Sequence, residues 1–324
     1  MNYLSLNEYL KQTFGCKVYK LAIDGGFTCP NRDGTLGNRG CIFCSGHGSG
    51  DFAISADLSV TDQIMAAKEK VSNKIKDGKY IAYFQSFTNT YGPIDVLRAK
   101  FTEAINHPDI VAISIGTRPD CLPIEVLDLL SELNKIKPVW VELGLQTIHE
   151  STAKFIRRGY ELATYDKALL ELKSRGIYVI THVILGLPGE TEDMMLQTVK
   201  YVCCNDSIER RTDGIKLQLL HIIKGTDLAE LYTLNNNQLE DVNSPDISYL
   251  SSKFSQYDID IMRDFTCVDM NTYVDLISKC ISIIPNDIAI HRMTGDGDKK
   301  TLIAPLWSGD KKRVLNSINQ ALMD

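Results

Sequence analysis

The chain has 324 residues, 44% hydrophobic and 23% charged, and carries a net charge of −6. That length is enough for a large core in one or two domains, and the composition is that of a soluble globular protein, not of a fibrous or disordered one. The acidic balance argues against a non-specific duplex binder, so no DNA partner is expected, while local basic patches that grip one folded RNA stay open.

No apolar run reaches the roughly 18–20 residues of a membrane helix, so no membrane partner is expected. Met1 to Phe14 lacks the basic start and apolar centre of a signal peptide. Nine cysteines, an odd count, without an export signal point to a reducing cytoplasm and not to a disulfide framework.

In chain order, residues 5–14 read as a short amphipathic helix that caps the fold, and Lys17–Ile23 as an alternating first strand. The spacing of Ile64, Met65, Val71 and Ile75 predicts a helix over Thr61–Lys76. Strands are expected at Tyr80–Phe84, Ile110–Ile115, Val139–Leu143, Tyr178–Leu185 and Gly214–Leu220. Helices are expected at Ile94–Asn106, Ile124–Lys135, Tyr165–Arg175 with Thr164 as N-cap, and Thr191–Cys203. The alternation reads as βαβ units on a parallel sheet, either an open doubly wound sheet or a barrel with its site at the C-terminal strand ends. After residue 226 the rhythm changes. Asn235–Asn237 and Ser244-Pro245 read as loop, Ser248–Met262 and Met270–Ile283 as helices, Ile288–His291 as a short strand and Lys311–Leu322 as a closing helix. The expected division is a core of residues 1–225 and a C-terminal α+β extension of 226–324 packed on it.

The stretch from Cys29 to Cys44 follows the first strand and holds three cysteines, with eleven residues between Cys29 and Cys41 and two between Cys41 and Cys44. Thiolates are the usual ligands of iron–sulfur clusters. A Cys-x-x-Cys pair reaches adjacent metal atoms from one turn, and a glycine-rich insertion (Gly34, Gly37, Gly40) brings Cys29 round from another side. Three thiolates on a four-iron cluster leave one iron open, as catalytic metal sites do. Two other readings compete. A zinc site would need His47 or Cys16 as a further ligand. A thioredoxin-like pair at Cys41 and Cys44 leaves Cys29 unexplained.

This cysteine loop resembles that of the radical S-adenosylmethionine (SAM) enzymes, where three cysteines hold a [4Fe–4S] cluster and SAM chelates the fourth iron. Phe43 matches the aromatic residue usual before the last cysteine. The long first gap is similar to that of proteins close to the catalytic subunit of Elongator. The resemblance implies a partial (β/α)6 TIM-like barrel and metal ligands Cys29, Cys41 and Cys44. It implies SAM contacts from Gln85 and Ser86 at the second strand end, where the amino group is held. Gln146, in Leu143-Gly144-Leu145-Gln146, matches a glutamine beside SAM in the coproporphyrinogen dehydrogenase relatives. Arg158 matches an arginine near the SAM carboxylate, a bidentate task suited to guanidinium. His182 stands where relatives often carry an aspartate on the SAM ribose.

Other positions have more than one reading. His291-Arg292-Met293-Thr294-Gly295-Asp296 and Lys216–His221 shape a substrate pocket or are capped turns. Arg157-Arg158, Arg210-Arg211, Lys299-Lys300 and Lys311-Lys312-Arg313 are RNA patches or solvated clusters. Cys16, Cys121, Cys267 and Cys280 read as buried small residues, and Gly186–Thr191 as a tight turn that lacks the P-loop ending.

The chemistry the resemblance implies is one-electron reduction of SAM to methionine and a 5′-deoxyadenosyl radical, which takes a hydrogen atom from the substrate. It calls for a one-electron donor such as flavodoxin or ferredoxin. The group resembled is linked to the tRNA wobble uridine, through conversion of a carboxymethylaminomethyl side chain to aminomethyl. A small metabolite or porphyrin-like substrate, or a metal-bearing protein without catalysis, are the alternatives.

Overall fold

The computed structural model describes residues 3–46, 48, 50, 53–73, 78–236, 253–295, 297 and 299–323. The chain opens on α1 (Leu6–Phe14), started by a capping box between Ser5 and Glu8 and stopped at Gly15, whose left-handed backbone (φ 68°) suits glycine. There follow β1 (Val18–Ile23), α2 (Val60–Val71), β2 (Lys79–Phe84), α3 (Ile94–Asn106), β3 (Ile110–Thr117), α4 (Ile124–Asn134), β4 (Val139–Gln146), α5 (Glu150–Phe155), α6 (Leu162–Ser174), β5 (Tyr178–Leu185), α7 (Glu192–Cys203) and β6 (Gly214–Leu219). The C-terminal stretch adds β7 (Ile222–Ile223), α8 (Asp227–Asn236), α9 (Gln256–Met262), α10 (Met270–Ile283), β8 (Ala289–Arg292), β9 (Leu302–Ala304) and α11 (Lys311–Ala321).

Seven parallel strands form one sheet in the order β1-β2-β3-β4-β5-β6-β8. The first six give the expected (β/α)6 partial barrel, and β8, from the C-terminal stretch, extends it by pairing in parallel with β6. A second pairing, antiparallel between β7 and β9, also crosses residue 225, so the two expected parts are knitted by backbone hydrogen bonds. α10 packs on α7 and α11.

Some elements differ from expectation. α2 ends at Val71 with Ser72 as its cap, and residues 74–77 lie outside the described set. Thr164 is inside α6, not its N-cap. Glu161 takes that place, and the Glu150 carboxylate accepts from the Leu162 amide at 2.7 Å, supplying from α5 the acceptor that a local cap would give. Asn235 and Asn236 close α8. Asn237, Ser244-Pro245 and residues 248–252 of the expected Ser248–Met262 helix lie outside the described residues.

Side chains two apart on a strand share a face, and the inner face resolves into layers. Val18, Ile81, Ala112, Trp140 and Ile180 form a dry apolar floor with Leu10 of α1. α1 seals that end, with Tyr9 and Phe14 against Trp140 at ring separations of 5.8 and 6.4 Å. Two residues further along the strands the layer is polar: Lys20, Tyr83, Ser114, Glu142, His182 and Lys216. Two further still, Gln85, Gly116, Gly144, Ile184 and Gln218 line an open cavity. The main hydrophobic core lies between the outer face of the sheet and the helices.

Candidate active site

A cavity of about 240 Å³ sits at the C-terminal ends of the strands, the end at which barrels carry chemistry. Cys29, Cys41, Phe43 and Cys44 form one wall; Gln85, Gln146, Arg158 and His182 line it too, with Lys216, Gln218, His221, Arg292 and Gly295. A wider groove of about 1170 Å³ runs outside the barrel, past Leu36, Pro93, Ile124 and Leu127, and shares no lining residue with it.

The cysteine loop is folded around two side chains. Asn31 donates to the Arg157 carbonyl at 2.7 Å and to Cys41 Sγ at 3.4 Å. Arg32 donates to the carbonyls of Cys44 and Ser45 at 2.9 and 2.7 Å. Gly40, at φ 75°, lies so close to Arg32 that an added Cβ would stand 2.9 Å from its guanidinium. The loop docks on α5 through Ile42 N to the Ile156 carbonyl, 3.2 Å, and on α8 through Leu228 N to the Ile42 carbonyl, 2.9 Å.

All three thiols are free. Burial pushes Cys41 up to about 12, with Cys44 adding to the effect and Arg118 opposing it; a thiol in contact with a metal is instead deprotonated outright. Among the described residues no three His, Cys, Asp or Glu side chains converge as one ion requires. A four-iron cluster asks something else, one thiolate for each of three irons. Of the two further ligands that a zinc site would need, His47 lies outside the described residues and Cys16 packs against the apolar floor. Nearby, Gln146 holds a left-handed backbone (φ 72°) uncommon for a non-glycine residue, and its buried Oε1 has no hydrogen-bond partner. Ser86 Oγ is likewise buried without a partner. Ser86 is fully buried and does not line the cavity, whereas Gln146 does, and its orphaned acceptor beside three thiols fits a site built to hold a cluster and a polar cofactor.

Arg158 is turned inward, with its side chain 2% exposed. It donates to the carbonyls of Thr147 (2.6 Å) and Tyr160 (3.0 Å) and pairs with Glu150 (3.0 Å). Arg157 pairs with Asp227, so the Arg157-Arg158 dipeptide is not a surface patch. Arg211 pairs with Asp287, while Arg210, Lys299-Lys300 and Lys311-Lys312-Arg313 are exposed.

Below the cysteines the polar layer is a buried charge cluster centred on Glu142. Its carboxylate meets Lys20 Nζ at 2.6 Å, Ser114 Oγ at 2.7 Å, His182 Nε2 at 2.6 Å, and Lys216. Burial alone would raise that carboxyl, but Lys20, Lys216 and His182 hold it well below its ordinary range. Burial and the charge of Lys216 lower His182 to about 4, so it is a neutral imidazole at pH 7. Lys216 also lies 3.2 Å from the Tyr83 hydroxyl.

With this geometry in view, the similarities are specific. Residues 34–202 match the radical SAM superfamily, and residues 261–324 match a radical SAM C-terminal domain. YtqA of Bacillus subtilis is 44% identical over 99% of this chain and 89% of its own length. The chain belongs to the radical SAM superfamily. It is a radical SAM enzyme, and the family's cofactors are a [4Fe–4S] cluster and SAM. A tRNA uridine(34) acetyltransferase of Methanocaldococcus jannaschii is 33% identical over 134 residues, 41% of this chain and 24% of that protein. The archaeal Methanocaldococcus infernus Elp3 structure superposes with a TM-score of 0.64 at 18% identity, over 94% of this radical SAM chain and 63% of that one. This supports an Elongator-like radical SAM subgroup.

Lys20, Tyr83, Arg118 and Glu142 were not singled out as site residues from the sequence. The available signal was a single charge in the middle of three apolar strand runs: Lys20 in β1, Glu142 in β4 and Lys216 in β6. Arg118 chelates Asp120 at 2.9 and 2.7 Å and stacks on Tyr160, 5.1 Å from the ring centre, beside the cysteines. Among the described residues no helix is long and apolar enough to cross a membrane.

Proposed function

We propose that this radical SAM enzyme acts on the wobble uridine of tRNA in the cytoplasm, converting a carboxymethylaminomethyl side chain to aminomethyl. The observation that carries the reading is one cavity with three loop cysteines on its wall and a cationic layer beneath them. The match to a tRNA uridine(34) acetyltransferase supports the choice of tRNA.

In this reading Cys29, Cys41 and Cys44 hold the cluster, with Phe43 beside them on the cavity wall. The cluster these cysteines would hold, together with SAM and a one-electron donor such as flavodoxin or ferredoxin, would supply one-electron reductive chemistry for hydrogen-atom abstraction from the substrate. Gln85 and Ser86 receive the SAM amino group at the end of β2. Gln146, with its orphaned Oε1, and Arg158, which fixes the turn after β4, flank the amino-acid end of SAM. His182, neutral and anchored on Glu142, sits on the ribose side. Asn31 ties the loop to the Arg157 carbonyl and Arg32 ties it to the carbonyls of Cys44 and Ser45, which sets the three thiols on the cavity wall. Loss of a hydrogen atom from the carbon between amine and carboxylate, and of one more electron to the one-electron carrier, would give an imine whose hydrolysis frees the amine and releases the two carbons as an oxo acid.

The test is nucleoside mass spectrometry on bulk tRNA from a strain deleted for this gene, complemented with wild type or Cys41→Ala. Accumulation of carboxymethylaminomethyluridine that only wild type relieves is the expected result. An unchanged profile in a host that normally carries the modification would end the tRNA reading.

A further inference from the structure

Arg118 and Asp120 stand just past β3, between the cavity and the outer groove. Arg118 lines the cavity with the three cysteines, and Asp120 lines the groove. Their ion pair therefore turns its cation toward the thiols and its carboxylate outward. The pairing is bidentate, Nε to Oδ1 at 2.9 Å and Nη2 to Oδ2 at 2.7 Å, so the guanidinium is fixed in place and spends two of its five N–H groups on the carboxylate. The Arg118 side chain is 10% exposed and that of Asp120 22%. The guanidinium also stacks on Tyr160, 5.1 Å from the ring centre. At Gly159 there is no room for a side chain: an added Cβ would stand 3.3 Å from Arg118 Nη2 and 2.9 Å from Asn31 Oδ1. Asn31 is the residue whose amide donates to Cys41 Sγ at 3.4 Å. A fixed cation and an N–H donor to sulfur thus meet over Gly159, beside the thiols.

We propose that Arg118 sets the reduction potential of the cluster that Cys29, Cys41 and Cys44 would hold, by presenting a buried positive charge on their side of the cavity while Asp120 turns its negative charge outward. The inference rests on membership of the radical SAM superfamily and not on the tRNA substrate. Reduction adds one negative charge, and a fixed cation nearby favours it; net charge, hydrogen bonds to sulfur and solvent exposure are the levers on such potentials. Charge is screened less on the buried side of the pair than at the groove, so the cation outweighs its partner at the thiols. Asp120 aims the guanidinium and weakens its field by a smaller amount.

The charge states agree with this. Burial alone would lower Arg118, but the hydrogen bonds and the charge of Asp120 hold it above its ordinary value, so it stays a cation. Burial raises the Cys41 thiol and Cys44 adds to the effect, whereas Arg118 favours the thiolate. What favours a thiolate on Cys41 also favours added electron density at the same sulfur.

The experiment is a potentiometric titration of the anaerobically reconstituted protein without SAM, followed by electron paramagnetic resonance of the reduced cluster. It compares wild type, Arg118→Gln, Arg118→Lys and Asp120→Asn. At a fixed poise Arg118→Gln is expected to lower the ratio of reduced to oxidised cluster about tenfold, a fall of about 59 mV for one electron. Arg118→Lys should stay nearer wild type, because the charge is kept. Asp120→Asn should move the potential upward, since it removes the opposing charge and still leaves an amide oxygen for the guanidinium. A role confined to packing would not give shifts of opposite sign. Should Arg118→Gln fail to hold iron and sulfide, the upward shift in Asp120→Asn carries the test. Potentials unchanged in Arg118→Gln and Asp120→Asn, or moved the same way in both, overturn the proposal. So does a loss of SAM affinity in Arg118→Gln with its SAM-free potential unchanged. Each of these outcomes leaves the wobble-uridine reading to its own test.

Discussion

Glu142 shows how one residue can organise a barrel interior. It sits midway along β4, two residues past Trp140 in the apolar floor and two before Gly144 at the cavity, and four strands send it donors. Removing its charge leaves Lys20 and Lys216 buried without an anion. Glu142→Gln is expected to cost about 3–5 kcal/mol, the usual penalty for breaking a buried pair from one side. Urea unfolding at pH 7 measures it, and an unchanged midpoint would mean that solvent reaches the cluster. The pH dependence has a definite sign. The folded carboxyl titrates well below its ordinary value of 4.5, so its contribution is present above that pH and is lost as pH falls through the folded value. Wild type should therefore lose stability below pH 4.5 more steeply than Glu142→Gln. Lys216 acts in the opposite range. Its folded value near 7 lies below its ordinary 10.5, so the unfolded chain binds more protons between the two and stability rises with pH across that window.

Among the elements, the cysteine loop is the one whose shape depends most on its non-ligand residues. Arg32 and Asn31 do the folding, and Gly40 makes room for Arg32 where any side chain would collide. Gly40→Ala adds a Cβ at 2.9 Å from the guanidinium on a backbone at φ 75°. The guanidinium must move, and with it the tie to the carbonyls of Cys44 and Ser45. Iron and sulfide retained after anaerobic reconstitution should fall by more than half. Gly15→Ala is the control. Its backbone is also left-handed but nothing lies within 4 Å, so it should cost only about 1–2 kcal/mol of stability and leave the iron content unchanged. Equal iron in the two variants would show that the loop tolerates displacement of Arg32. The spacing of the cysteines was legible in the sequence because ligand chemistry is local. The Arg32 wrap was not, because it depends on which carbonyls the folded loop turns inward.

Across the whole molecule the barrel is closed at one end and open at the other. α1 plugs the N-terminal ends of the strands, where Tyr9, Phe14 and Leu10 meet Trp140 and Tyr178. Leu10→Ala should cost about 2–4 kcal/mol by opening a cavity under the floor, with a lower urea midpoint and a red shift of Trp140 emission. A stable variant with unshifted emission would mean that the plug is not what keeps the floor dry. At the open end the C-terminal stretch contributes Arg292 and Gly295 to the cavity, and β8 completes the sheet. The chain matches a superfamily region and a C-terminal region, and both furnish the lining.

The sequence by itself determined the alternation of strands and helices, the parallel sheet and the three cysteines, because each is written in short-range pattern: period 2, period 3.6 and ligand spacing. For Lys216–His221 and the run from His291 to Asp296 it left a substrate pocket and capped turns as alternatives, and the fold put Lys216, His221 and Arg292 on the cavity wall. Only the tertiary structure decided that Lys20, Glu142 and Lys216, about a hundred residues apart along the chain, share one layer. Register across parallel strands sets which residues meet, and crossover helices of any length can deliver the same register. It likewise turned Arg158 from a surface cation into a buried tie, since burial is a property of what packs above a residue and not of its neighbours in sequence.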